Sequence, residues 1–375
     1  MLRRLACVAG VIALLAGCSS PEPQVDLGPP LVRFLGAHFQ GSRVLVAASL
    51  FDWTGQVSKS GERLYSVRHT IWLRSGDGDH WKAVGVMPGY PYSVNEVMPG
   101  EILVTTNAGV QHSGDGGANW DRVMKSKLVT SIVWDGVHQE LMACEVRNGI
   151  VRHVQNRIWT RINSVPSEPI YQVAGGDSVL YLLTRRNDSS LVYRSRDGAF
   201  TWEPIWPSGR RIHFLFVPSS GELMAATRAG LYRFDGSRWF GLGPPENTVY
   251  GASLPAAGLG SPGVAFAVTT AGYVSPRLFW RETKRFLFSE LTSDSFSEQY
   301  GILRNDGRGW RMALPGPYTF VQVNRAGVAV AYGGRKVAVS RDTGRTWRDI
   351  SADLMPLVVE ADSVMAGDTS SPLNY

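Results

Sequence analysis

The sequence predicts an all-β fold, a seven-bladed β-propeller with four antiparallel strands per blade, and three observations point to it. The phrase S-x-D-x-[G/A]-x-[T/N]-W occurs three times, as Ser113 to Trp120, Ser195 to Trp202 and Ser340 to Trp347. Tryptophans recur at a near-constant interval: Trp81, Trp120, Trp159, Trp202 and Trp239 are 39, 39, 43 and 37 residues apart, and Trp310 to Trp347 is again 37. From residue 31 onward, short runs rich in Val, Leu, Tyr and Phe are broken by Gly, Asp, Asn and Ser, with no sustained helical period. A repeat of about 40 residues accommodates four short strands and their turns, which is the unit of a propeller blade.

The chain opens on Arg3-Arg4, an apolar run from Leu5 to Leu15, and the small residues Ala16-Gly17 before Cys18. This is the pattern of a secretory signal over residues 1–17. The run falls short of the roughly 20 apolar residues that span a bilayer. Leu15-Ala16-Gly17-Cys18 resembles the lipobox of bacterial lipoproteins. That resemblance implies cleavage before Cys18, acylation of Cys18 and attachment to a membrane. Ser19, where the family's inner-membrane retention signal carries an aspartate, implies the outer membrane. Residues 18–30 are rich in proline and read as an extended tether.

Loss of residues 1–17 removes two arginines from the 38 basic and 32 acidic residues, leaving 36 against 32, or +4. The basic residues are dispersed, so no nucleic-acid footprint follows. Of the three cysteines, Cys7 lies in the signal and Cys18 is the lipidation site. Cys144 alternates with Leu and Val and is expected in the core, which leaves no disulfide frame.

Residues 31–351 are expected to form the ring, and 352–375 either close it or form a tail. One unit is read over 92–125: strands Tyr92 to Met98, Ile102 to Thr106 and Gly109 to His112, the turn Ser113 to Asn119, and the strand Trp120 to Met124. The 71 residues from Trp239 to Trp310 are too many for one plain blade. One blade with an insertion at Arg277 to Gln299 gives seven blades; two blades, the first with its tryptophan at Trp280, give eight. A second insertion, Phe51 to Val67, is expected to interrupt the first blade.

The repeated phrases resemble the Asp-box, or BNR repeat, of sialidases, Vps10-type receptors and the photosystem II assembly-factor family. Ser113, Asp115, Gly117 and Trp120; Ser195, Asp197 and Trp202; and Ser340, Asp342, Gly344 and Trp347 carry the close matches. Ser75, Asp77 and Trp81 belong to a copy one residue short, and Asp235 to Trp239 and Asp306 to Trp310 are worn copies. Ser and Asp side chains accept bonds from turn amides, glycine serves left-handed positions, and the tryptophan is expected to pack under its own hairpin. In the resembled families the boxes lie on the periphery, which implies structural roles for these residues.

A sialidase-like or glycan-binding module is the alternative reading. It needs an arginine triad, a Tyr and Glu pair and an R-I-P phrase; the phrase is absent, and Arg33 is the one arginine near its expected place. Histidines occur singly and Asp77-x-Asp79 lacks further ligands, so no metal and no cofactor is expected. The sequence therefore points to surfaces. Trp53, Lys59, Arg63 and Tyr65 in the first insertion, and Arg277, Trp280, Arg281, Lys284, Arg285 and Phe288 in the second, mix aromatics with cations as partner-binding patches do. The expected function is a non-enzymatic outer-membrane lipoprotein that docks an envelope protein or peptide.

Overall fold

The computed structural model describes residues 30–367 with breaks, the longest at 254–263, 270–285 and 288–300. Seven antiparallel sheets of four strands each follow one another along the chain, the first joined by a short fifth strand, Phe286–Leu287. They are blade 1 (31–87), blade 2 (91–124), blade 3 (129–161), blade 4 (170–204), blade 5 (212–243), blade 6 (249–315) and blade 7 (320–349). The unit read over 92–125 is observed as Pro91–Met98, Glu101–Thr106, Gly109–Ser113 and Asp121–Met124. In blade 6, Ala265–Thr269 pairs directly with Gly301–Asn305, so the long Trp239 to Trp310 interval holds one blade and the eight-bladed alternative falls.

Burial explains why the sequence shows runs rather than clean alternation. Second strands such as Leu223–Thr227 and Ala329–Gly333 are buried at every residue, because both faces of each sheet are covered by neighbouring blades. Fourth strands such as Asp121–Met124 lie on the rim and stay largely exposed.

The tryptophans act differently from expectation. Each packs between blades, against the one that precedes it, and not simply beneath its own hairpin. Trp120 joins Leu45 and Trp72 of blade 1, Trp159 joins Val123 and Met124 of blade 2, and Trp202 joins Met142 and Cys144 of blade 3. Trp239 meets Trp206, just after blade 4, and Leu223 is in the same cluster; Trp310 meets Ala226 of blade 5, Trp347 meets Phe266 of blade 6, and Trp81 meets Val339 of blade 7. Each of the seven seams thus holds one tryptophan of the repeat, joined by Trp72 at Trp120 and by Trp206 at Trp239.

Three of these indoles also donate across the seam, from Trp159 Nε1 to the Val123 carbonyl (3.3 Å), Trp239 to Ile205 (3.0 Å) and Trp310 to Leu242 (2.8 Å). Trp239→Phe is expected to cost about 1 to 2 kcal/mol beyond lost packing, because the Ile205 carbonyl loses its donor. Trp202→Phe should lack that increment, since Trp202 Nε1 has no hydrogen-bond partner among the described residues. Urea midpoints of the two variants would check this.

The four strands of each blade come from one consecutive stretch of chain, and among the described residues blades 7 and 1 exchange no strand. Backbone contact there includes Phe34 N–H to the Gly334 carbonyl at 2.8 Å, and Asn324 Nδ2 donates to the Gly41 carbonyl at 2.9 Å. The seam is covered by a helix, α1 (Ser351–Gly367), which the sequence reading did not foresee. Leu354 and Val358 are fully buried and share one cluster with Val44, Val46 and Ile71 of blade 1 and Val330 and Val337 of blade 7. This apolar stripe is short and Pro356 lies inside the helix, so no sustained helical period marks it.

Candidate functional site

The meander order divides the ring into two faces. Connections from first to second and from third to fourth strand lie on one face. Those from second to third strand, and from each fourth strand to the next blade, lie on the other. The repeated Ser/Asp phrases are all third-to-fourth connections, so they share the first, or box, face.

In the turn at Ser113 to Trp120, Ser113 Oγ donates to Asp115 Oδ1 at 2.8 Å and accepts from the Gly117 N–H at 2.8 Å. Asp115 Oδ1 also accepts from the amides of Ala118 (3.0 Å) and Asn119 (2.9 Å), while its Oδ2 takes the Asn119 side-chain amide at 2.7 Å. The copies at Ser195 and Ser340 repeat this, with Thr201 and Thr346 hydroxyls donating to Asp197 and Asp342 at 2.5 and 2.6 Å. The [T/N] position is therefore a side-chain donor to the box aspartate. Hydrogen bonds, foremost that from the Thr201 hydroxyl, hold Asp197 down at about 2.

Gly117 and Gly344 sit at φ +91° and +72°, where glycine is unstrained, and Ala199 occupies the same place at +71°. The box carboxylates are thus consumed by their own turns. Asp77 lies outside the described residues; in its copy Ser75 Oγ accepts from the Val44 amide at 2.8 Å. The worn copies improvise: Asp235 caps the amides of Ser237 and Arg238, and Asp306 bridges Arg304 and Arg311.

The opposite face is built on blade 1. Phe51 to Val67, expected as an interruption, is instead an extension of the second and third strands, Arg43–Val57 and Arg63–Ser75, which stay paired from Phe51↔Val67 out to Val57↔Arg63. Six residues beyond Phe51 carry this hairpin roughly 20 Å past the rim. Trp53 and Arg63 come together on it, the guanidinium 4.9 Å from the ring centroid. Phe286–Leu287, within the blade 6 insertion, pairs antiparallel with Tyr65 and Leu64. Both insertions thus meet on the blade 1 hairpin. Arg277, Trp280, Arg281 and Arg285, with Lys59, Lys284, Phe288 and Cys18, lie outside the described residues.

At the base of the hairpin, Arg68 grips Asp52 (Nε at 3.0 and 3.1 Å, Nη2 at 2.6 Å) and reaches Asp362 of α1 through Nη1 at 2.6 Å. His69 Nε2 lies 3.2 Å from the same Asp362. Desolvation lowers the His69 pKa below 6.5 against the opposing pull of Asp362, and Arg68 adds to the lowering. A base lowered by folding binds fewer protons than in the unfolded chain. The contribution of His69 to stability is therefore complete above pH 6.5 and declines as the pH falls below it, and His38, also lowered by burial, acts in the same sense. The box carboxylates, lowered from 3.8, act only at far more acidic pH. Urea midpoints at pH 7.5 and 5.5 should differ in this sense, and His69→Gln should reduce the difference. The partly exposed ion pairs themselves add little.

The channel mouth on this face has a feature the sequence reading missed. In six blades the first strand carries a one-residue bulge, at its second residue for Tyr92, Thr130, Tyr171, His213 and Tyr250 and midway along the longer blade 1 strand at Leu35. Bulges re-aim side chains at barrel rims and sites. The bulged Thr130 donates to the Tyr171 carbonyl at 2.7 Å, and Gln172 exchanges two bonds with the Leu215 backbone at 2.6 and 2.8 Å, linking inner strands of blades 3, 4 and 5. Arg185 stacks on Tyr171 at 4.3 Å, and Tyr90 and Tyr92 pack edge to face with their hydroxyls 3.2 Å apart. Desolvation raises both tyrosines' pKa, the reverse of what a phenolate nucleophile needs. Arg33, weighed as a substrate arginine, is 1% exposed, so its guanidinium is withheld from solvent. Burial likewise pushes the Cys144 thiol up to about 12, as befits a core residue.

Exposed apolar side chains distinguish the faces. Of the large ones exposed among the described residues, Val57, Phe320, Met355, Val359 and Val364 lie toward the hairpin face, Phe214 lies midway along the inner strand of blade 5, and Val137 and Phe200 belong to the box face.

No protein-family model matches the sequence, and no curated protein matches it. Among solved structures, the extracellular domain of a hybrid two-component system from B. thetaiotaomicron is similar over 82% of this chain and 41% of that one, at 12% identity and TM-score 0.48. An ancestral GH74 enzyme is similar over 86% of this chain and 55% of that one, at 15% identity and TM-score 0.47. The Niastella koreensis GH74 enzyme is similar over 86% and 54%, at 12% identity and TM-score 0.39. This chain spans less than two thirds of the length of each, and the blade count rests on its own sheet topology.

Proposed function

We propose that this chain is a non-enzymatic, lipid-anchored propeller of the bacterial outer membrane that docks a protein or peptide on its hairpin face. One observation carries the proposal: the exposed apolar side chains gather on the face that also bears the long hairpin and the blade 6 insertion. Exposed apolar surface of this kind marks interaction sites. The box face, by contrast, uses its polar side chains on its own turns. The anchor rests on the sequence, on Cys18 behind a charged and apolar leader.

A photo-crosslinking residue at Phe320 should give discrete adducts in intact cells, and the same residue at Phe200 should not. Equal adducts from both faces would contradict the assignment. Cys18→Ser should move the protein out of the membrane fraction; its retention there would contradict the anchor. Hydrolysis of a fluorogenic sialoside by the purified protein would replace docking with the glycoside-hydrolase reading.

A further inference from the structure

We infer that the hairpin face is turned toward the bilayer, and that the outer part of the blade 1 hairpin at Trp53, Val57 and Arg63 and the exposed side of α1 rest on lipid headgroups. This rests on the lipid-anchor reading above and adds the orientation of the ring and the surface that touches the membrane.

The first observation is where the chain joins the ring. Leu31 begins the inner strand of blade 1, and inner strands begin on the hairpin face, where fourth strands cross to the next blade. The twelve residues Ser19 to Pro30 separate Cys18 from that point, and twelve residues span at most about 40 Å. The blade 1 inner strand is ten residues long, so the ring is roughly 30 Å deep along it. Turning the box face to the membrane would use most of the available reach merely to pass around the ring. With the hairpin face inward, the roughly 20 Å projection of the hairpin fits within that reach.

The second observation is what this face shows at its periphery. Val57 near the hairpin tip is 58% exposed, and Met355, Val359 and Val364 on α1 are 37, 62 and 67% exposed. Trp53 with Arg63 stacked upon it supplies the aromatic and cationic pair suited to a headgroup layer. Helix α1 lies beside the hairpin because Asp362 is held by Arg68 and His69. The acyl chains at Cys18 supply the attachment, and a second contact of this kind fixes the orientation of the ring on the bilayer. The hairpin would hold the channel mouth, with Phe320, a short distance above the bilayer, facing whatever protrudes from it.

The test uses the full lipidated protein in vesicles of phosphatidylethanolamine and phosphatidylglycerol. Environment-sensitive labels are placed at Val57→Cys, Val359→Cys and, on the box face, Val137→Cys. Cys144 is buried and stays unlabelled. The expected result is a blue shift and quenching by doxyl-labelled lipid at positions 57 and 359, and neither at 137. If the protein floats with the vesicles while 57 and 359 stay aqueous, or while 137 is quenched instead, the orientation is wrong and the anchor stands. If the protein does not float, the anchor reading fails and the orientation falls with it. Labels that are aqueous on vesicles and become shielded only when a purified envelope protein is added would assign the surface to protein, overturning the inference.

Discussion

Leu354→Asp is expected to cost about 4 kcal/mol or more, with Leu354→Ala near 3, which would be the largest effect of any single change on α1. Leu354 is fully buried among blade 1 and blade 7 side chains. Other seams are supported by a chain that runs on from one blade to the next. The 7-to-1 seam has no such link, because its two blades are the first and last segments of the ring. A carboxylate inserted there must either ionise in an apolar cluster or push the helix off the seam. Denaturant unfolding of the aspartate variant should show a lowered midpoint, and a reduced slope if the ring opens before the blades melt. An unchanged midpoint would mean that the helix is dispensable and that the two interblade bonds suffice.

Gly85→Ala is expected to destabilise by about 3 kcal/mol, and it probes a different seam. Gly85 lies on the outer strand of blade 1, and a Cβ there would collide with the backbone oxygens of Gly117 and Ala118 in the box turn of blade 2. Backbone cannot yield as a side-chain end can, so either the turn or the strand must shift. Gly41→Ala provides the contrast. Gly41 adopts a positive φ, +62°, and no atom lies within 4 Å of its added Cβ. Its cost should be confined to backbone strain of about 1 to 2 kcal/mol. If both variants melt alike, the box turn is not held against the neighbouring blade.

The blade count was legible because tryptophan spacing reports a structural constraint: each seam needs one large ring at the same place. What spacing alone could not say is which blade the ring serves, since Trp239 and Trp310 donate to residues 34 and 68 positions earlier in the chain. The roles of Ser and Asp in the boxes followed from turn chemistry, and the contribution of Thr201 and Thr346 became visible only as hydroxyl-to-carboxylate distances. Helix α1 was hidden because its buried stripe is short and packs on two distant segments. The bulges at Tyr92, Tyr171 and His213 were invisible for a similar reason: a one-residue offset in pairing leaves no periodic trace. Trp53 and Arg63 were singled out from composition, and the structure brings them into contact on the long hairpin.

The central claim is a division of labour, with the box face structural and the hairpin face engaged. Hydroxyl-radical footprinting in intact cells, compared with the purified protein, tests it most directly. Phe320 and Val359 should be protected in cells while Phe200 and Val137 react equally in both settings. Protection of Phe200 and Val137, or of neither set, would contradict it.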